Sequence, residues 1–154
     1  MTTDRSAVDR LLRAHHYLVL GTADDDGQPW VTPVFFAPLE PDRVCWVSSP
    51  QSRHSRNIAS RAAVAITVFD STVEVGRAEA AYFDADGAQL SSQETDAALN
   101  VLNSRLPQAK RLSRDDLRPA GPMVIYEATL RHRYILVRGG DPELKNAVDT
   151  TVEV

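Results

Sequence analysis

Cysteine is almost missing from this sequence: Cys45 is the only one among 154 residues. That excludes an intrachain disulfide framework and predicts a reducing, cytoplasmic setting. Basic excess is missing too. Lys+Arg number 17 against 21 Asp+Glu, a net charge of −4, which argues against a nucleic-acid partner, since such partners are usually met by a basic stripe. No apolar run approaches a bilayer span, and the opening Met1-Thr2-Thr3-Asp4-Arg5 has no apolar signal-peptide core, so no membrane partner is predicted. Neither common type of Gly-rich phosphate loop occurs, which removes most support for a dinucleotide or nucleoside-triphosphate site. The histidines show no zinc spacing: His15 and His16 are adjacent, while His54 and His132 are distant from them and from each other. Asp24-Asp25-Asp26-Gly27 and Asp84-Ala85-Asp86-Gly87 lack the later ligands of a calcium loop and read as hairpin turns. No metal site is predicted. No serine sits in a nucleophile elbow, and Cys45, between apolar neighbours, reads as a buried, inert thiol.

What is present is ordinary globular composition, 43% hydrophobic and 25% charged, in a chain long enough for a core of its own. One domain over residues 1–154 is predicted. Residues 3–14 place Ala7, Val8, Leu11 and Leu12 at helical spacing, with Thr3 as a cap. Strands are predicted over 17–22 and 30–36, joined by the Asp-Gly turn at 24–27. Pro33 cannot donate to a ladder, so that strand is read as an edge, a bulge or a ligand-facing segment. Further strands are predicted over 43–48, 62–69, 73–83 with Gly76 as a bulge or a point of close backbone approach, 124–130 and 134–137, with a short one at 150–154. Arg131-His132-Arg133 would begin or interrupt the late strand as a charged edge or a second basic patch. Ser91-Ser92-Gln93-Glu94 reads as a capping box opening a helix that ends near Pro107. Many short strands with few helices predict a mainly β (α+β) antiparallel barrel with covering helices.

The segment 46–58 carries the chemistry. A strand ends at Ser48 and a helix begins near Ser52, with Arg53, His54 and Arg56 in its first turn. Free N–H groups and the positive dipole end at such a start attract anions. The hydroxyls of Ser52 and Ser55 add donors, and the arginine forks suit phosphate. The same residues also serve as an ordinary cap and solvated surface. Trp30, Trp46, Phe35 and Phe36 read as core or interface, or as an apolar wall for a planar ring.

Taken in order, Tyr17-Leu18-Val19-Leu20-Gly21-Thr22, the stretch 27–34, Val47-Ser48-Ser49 and the stretch 52–58 resemble the pyridoxamine 5′-phosphate oxidase-like family, flavin-binding split β-barrels. The resemblance runs over about residues 8–136. It implies a six-stranded antiparallel split barrel, a homodimer and flavin mononucleotide (FMN) in a groove between the subunits. It further implies that Val31, Thr32, Pro33 and Val34 run along the flavin ring, and that Val47, Ser48 and Ser49 lie beside the ribityl chain and phosphate. Ser52, Arg53 and His54, with Asn57 one turn on, match the family's phosphate motif, and Arg77 reaches the ring from the second subunit. Two departures stand out: no basic residue on the second strand, and His54 where a lysine is usual. The pattern that holds pyridoxamine phosphate is not evident either. The function implied is an FMN-binding oxidoreductase acting on a small molecule. Two alternatives are a deazaflavin-dependent reductase, with Arg56, Arg61 and Arg77 supplying added charge, and a non-catalytic flavin- or haem-binding dimer. No residue stands out as a catalytic acid or base.

Overall fold

The first helix starts where a carboxylate can cap it. The computed structural model describes residues 4–117 and 122–154. In it Asp4 accepts from the Ser6 and Ala7 N–H groups at 3.0 and 3.3 Å, the cap role assigned to Thr3, which lies outside the described residues. Helix α1 (Arg5–Ala14) buries Ala7, Val8, Leu11 and Leu12. Its last carbonyls are satisfied by Arg105, whose guanidinium donates to Leu12 and His15 oxygens, each at 2.7 Å.

Strands β1 (Tyr17–Ala23) and β2 (Pro29–Phe35) form the expected hairpin. Asp24 shapes the turn by accepting from Asp26 and Gln28 N–H at 2.9 Å. Gly27 takes the positive φ of 82° that closes it. The register sets Thr22 opposite Trp30 and Gly21 opposite Val31. Then follow β3 (Ala37–Leu39), β4 (Arg43–Ser48), helix α2 (Arg53–Ser60), β5 (Ala63–Phe69), β6 (Ala80–Gln89), helix α3 (Thr95–Asn103), β7 (Val124–Val137) and β8 (Thr150–Glu153).

All pairings are antiparallel, in one curled sheet ordered β2-β1-β5-β6-β7-β4-β3, with β8 added beside β7. β2 approaches β4 without ladder bonds, so the barrel is split. Inside it lie Leu18, Leu20, Phe36, Val44, Trp46, Val68 and Phe83. Outside, α3 covers a second cluster of Ala37, Leu39, Cys45, Leu99, Leu102 and Ile125. The two other helices sit at opposite ends of the barrel. Arg10 of α1 pairs with Glu79 just before β6, whereas Ile58 of α2 packs against Gly87 towards its end.

The sheet holds eight strands rather than six; the additional members are short. Residues 73–79 are loop, not strand, with Gly76 at φ +87° in a turn rather than a bulge. Residues 84–87 lie within β6 and form no turn, because β5 and β7 pair with them on both sides. The late strand is continuous. Its irregularity is a bulge in which Asp84 faces His132 and Ala85 faces Leu130, leaving Arg131 over. Arg131 then meets Asp86, and Arg133 turns inward to Asp42 at 2.7 Å. Ser91 caps a short 3₁₀ turn, accepting from Gln93. Glu94 completes no capping box, because it pairs with Arg43 at 2.8 Å.

Candidate functional site

Alternation along β2 decides what each of its residues can touch. Val34 points into the core and is buried, while Val31 on the other face is 65% exposed. Pro33 is exposed and Thr32 half-buried. Val31 overlooks a shallow outer-face cavity of about 250 Å³ lined by Val19, Gly21, Ala65, Thr67, Tyr82, Asp84 and Tyr134 among others. Gly21 keeps this floor low, since a Cβ there would meet the Ala65 carbonyl at 3.4 Å and Val31 at 3.8 Å.

Strand β4 ends at the buried Ser48, and the chain turns through Ser49 into α2. Ser48 and Ser52 hydroxyls lie 2.9 and 3.2 Å from His54 Nε2. The Ser52 hydroxyl is also within hydrogen-bond reach of the Ser49 carbonyl at 2.8 Å and the Ser55 hydroxyl at 2.7 Å. Burial of His54 pushes its pKa below the usual imidazole value, favouring the neutral ring. Ser52 occupies the N-cap position, yet its side chain makes no hydrogen bond to the first turn. The N–H groups at the start of α2 are therefore left uncapped, unlike those of α1.

Two side chains of α2 and that of its C-cap residue, Arg61, fasten the helix to the β1–β2 hairpin. Asn57 Nδ2 donates to Thr22 Oγ1 at 3.0 Å, and Arg61 donates to the Asp25 carbonyl at 3.2 Å. The Arg53 guanidinium carbon sits 4.4 Å from the centroid of the Trp30 ring. Thus the structure gathers Ser48, Ser49, Ser52, Arg53, His54 and Asn57 at one barrel mouth, beside the start of β2. Val47 is half-buried against the second cluster. Arg77 is not with them. It lies on the loop between β5 and β6, at the end of β5 remote from α2, and pairs with Glu74 at 3.6 Å.

Thr22 and the Trp30–Arg53 contact are additions to the sequence reading. The Asp-Gly hairpin register opposes Thr22 to Trp30, but how α2 docks upon that pair is a tertiary fact. Among the described residues no group of three His, Cys, Asp or Glu is placed to hold a metal ion. No described helix is long and apolar enough to cross a membrane.

A family model described as pyridoxamine 5′-phosphate oxidase matches residues 5–132. The chain belongs to that family. Solved structures agree in fold. The heme storage protein HutZ of Vibrio cholerae superposes with a TM-score of 0.69 at 17% identity, over 84% of this chain and 92% of that one. An FAD-binding protein of Mesorhizobium loti gives 0.63 at 19%, over 84% and 91%. An F420 reductase gives 0.61 at 21%, over 81% and 94%. No curated protein matches the chain by sequence. Membership of the pyridoxamine 5′-phosphate oxidase family and the split barrel bear out the expectation drawn from the motifs at 17–22, 27–34 and 47–58.

Proposed function

We propose that this chain is a single flavin-binding domain that holds FMN in a groove shared by two copies and acts as an oxidoreductase on a small molecule. The observation that carries the proposal is the uncapped start of α2, flanked by the part-exposed Ser49 and Ser52 and by Arg53, with the buried Ser48 and Ser55 hydroxyls behind them. The fit to a phosphate monoester rests on the chemistry of these donors: unpaired backbone N–H groups, hydroxyls and a guanidinium without a carboxylate partner among the described residues. His54 contributes orientation, since its neutral ring ties Ser48 to Ser52. The exposed backbone of β2 then offers amide groups to the polar edge of a flavin ring, and Val31 offers an apolar contact. When bound, the flavin supplies hydride or electron transfer; the chain supplies position, electrostatics and exclusion of water. Tyr17, Val31 and Phe69 give the outer sheet face exposed apolar area that supports pairing of two copies. In such a pair Arg77 is available to the other copy's groove.

A deazaflavin is the second reading, favoured by Arg56, which is exposed one turn beyond Arg53 and also lacks a carboxylate partner among the described residues. A longer anionic tail would use it. The visible spectrum of the purified protein, with any released chromophore identified by mass, separates these readings. Release of FMN is expected. A colourless protein that takes up neither FMN nor a deazaflavin refutes both. Sizing in solution is expected to give a dimer, and a monomer fully loaded with cofactor would contradict the shared groove.

A further inference from the structure

We propose that Trp30 is a positioning residue for Arg53, holding its guanidinium at the barrel mouth so that this one cation serves where β2 carries none. The inference rests on the phosphate reading of the α2 start.

Four observations carry it. First, β2 reads Pro29-Trp30-Val31-Thr32-Pro33-Val34-Phe35, without a basic side chain. A phosphate beside this strand must be neutralised from elsewhere. Second, His54 Nε2 is already engaged by Ser48 and Ser52, so that nitrogen is not left free to face an anion. Third, the Arg53 guanidinium lies over the Trp30 ring, 4.4 Å from its centroid, and Arg53 makes no side-chain ion pair or hydrogen bond among the described residues. Fourth, Trp30 is 40% exposed yet its backbone is fixed. The Thr22 hydroxyl, which accepts from Asn57, reaches the Trp30 carbonyl at 3.5 Å.

A long arginine side chain on the first turn of a helix would otherwise sample many rotamers, and ordering it on binding would cost affinity. Stacking on an indole face restricts the guanidinium while leaving its donor edge free, since the ring attracts the cation through its π-face rather than through the N–H groups. The uncharged residue thus does by restraint what a β2 cation does by charge.

The test is FMN binding, followed by quenching of flavin fluorescence, for the wild type, Trp30→Leu, Trp30→Phe, Arg53→Ala and the Trp30→Leu/Arg53→Ala double variant. Urea unfolding of each variant establishes that it is folded at the temperature of titration. Arg53→Ala is expected to weaken FMN binding roughly tenfold or more, as for a charge-assisted hydrogen bond. Trp30→Leu is expected to weaken it about three- to fivefold, as for a partly exposed cation–π contact. Trp30→Phe, which keeps an aromatic face, restores most of that loss. The deciding result is the double variant: with Arg53 gone, Trp30→Leu costs nothing more. An equal loss from Trp30→Leu in both backgrounds means that the ring touches the ligand itself and overturns the inference while leaving the FMN reading intact. A wild type that does not take up FMN overturns both.

Discussion

Replacing Asn57 with alanine tests the joint that seats α2 on the barrel. Asn57 and Thr22 are each 5% exposed, and the 3.0 Å bond between them is buried. Removing the amide leaves the Thr22 hydroxyl with only a long 3.5 Å contact to the Trp30 carbonyl. An unmade buried hydrogen bond costs about 1–3 kcal/mol. Thr22→Val leaves the Asn57 amide without its acceptor and belongs to the same range. Taking about 2 kcal/mol for the loss and about 2 kcal/mol per molar for the urea slope, each single variant lowers the unfolding midpoint by roughly 1 M. The double variant removes both partners, so its loss falls short of the sum by about 1 kcal/mol or more. Urea unfolding followed by far-UV circular dichroism measures all three. Single losses under about 0.5 kcal/mol, or losses that simply add, would refute the claim that this bond fixes the helix.

Three further outcomes are expected. A Cβ at Gly87 would stand 3.2 Å from two Ile58 carbons, so Gly87→Ala should destabilise by about 1–3 kcal/mol through overpacking. Ile58→Val in the same chain should recover part of that in urea unfolding, and no recovery would place the strain elsewhere. Because burial lowers the His54 pKa, the folded chain binds fewer protons there than the unfolded one. The His54 contribution is therefore whole above the unperturbed 6.5 and declines as pH falls from there through the lower folded value. His54→Gln should flatten stability against pH in that window, whereas an unchanged slope would exclude His54 as its source. Cys45 is fully buried, and desolvation pushes its thiol up to about 12. A disulfide-exchange reagent should leave it unlabelled at pH 8 until the protein unfolds, and stoichiometric labelling of native protein would contradict this.

The hairpin at 17–35 was legible because turn chemistry and alternation agree there: Asp24 and Gly27 dictate the turn, and the register follows. The start of β6 was not. Val73 and Val75 have strand propensity but stand exposed in a loop, while the strand runs through Asp84 and Asp86, poor strand formers held by neighbours on both sides. The charged triplet at 131–133 reads as the beginning or an interruption of a strand because a bulge that keeps a strand continuous leaves no local signature. At the site, serines and arginines near a strand end announced a helix start. The burial that lowers the His54 pKa and the stacking of Arg53 depend on where α2 docks, which no local spacing encodes. Arg77 shows the same limit from the other side, since one chain alone leaves it remote from α2.

Proline stands at both ends of the main strand path. β2 contains Pro29 and Pro33, and β3, at the far edge, contains Pro38. Each removes a backbone donor where an incoming strand would seek one. Lateral growth of the sheet, the route by which open β structures polymerise, is thus handicapped along this path from both sides. The proposed pairing of two copies over Tyr17, Val31 and Phe69 uses the sheet face instead, and the open seam of the barrel becomes a boundary against fibrils.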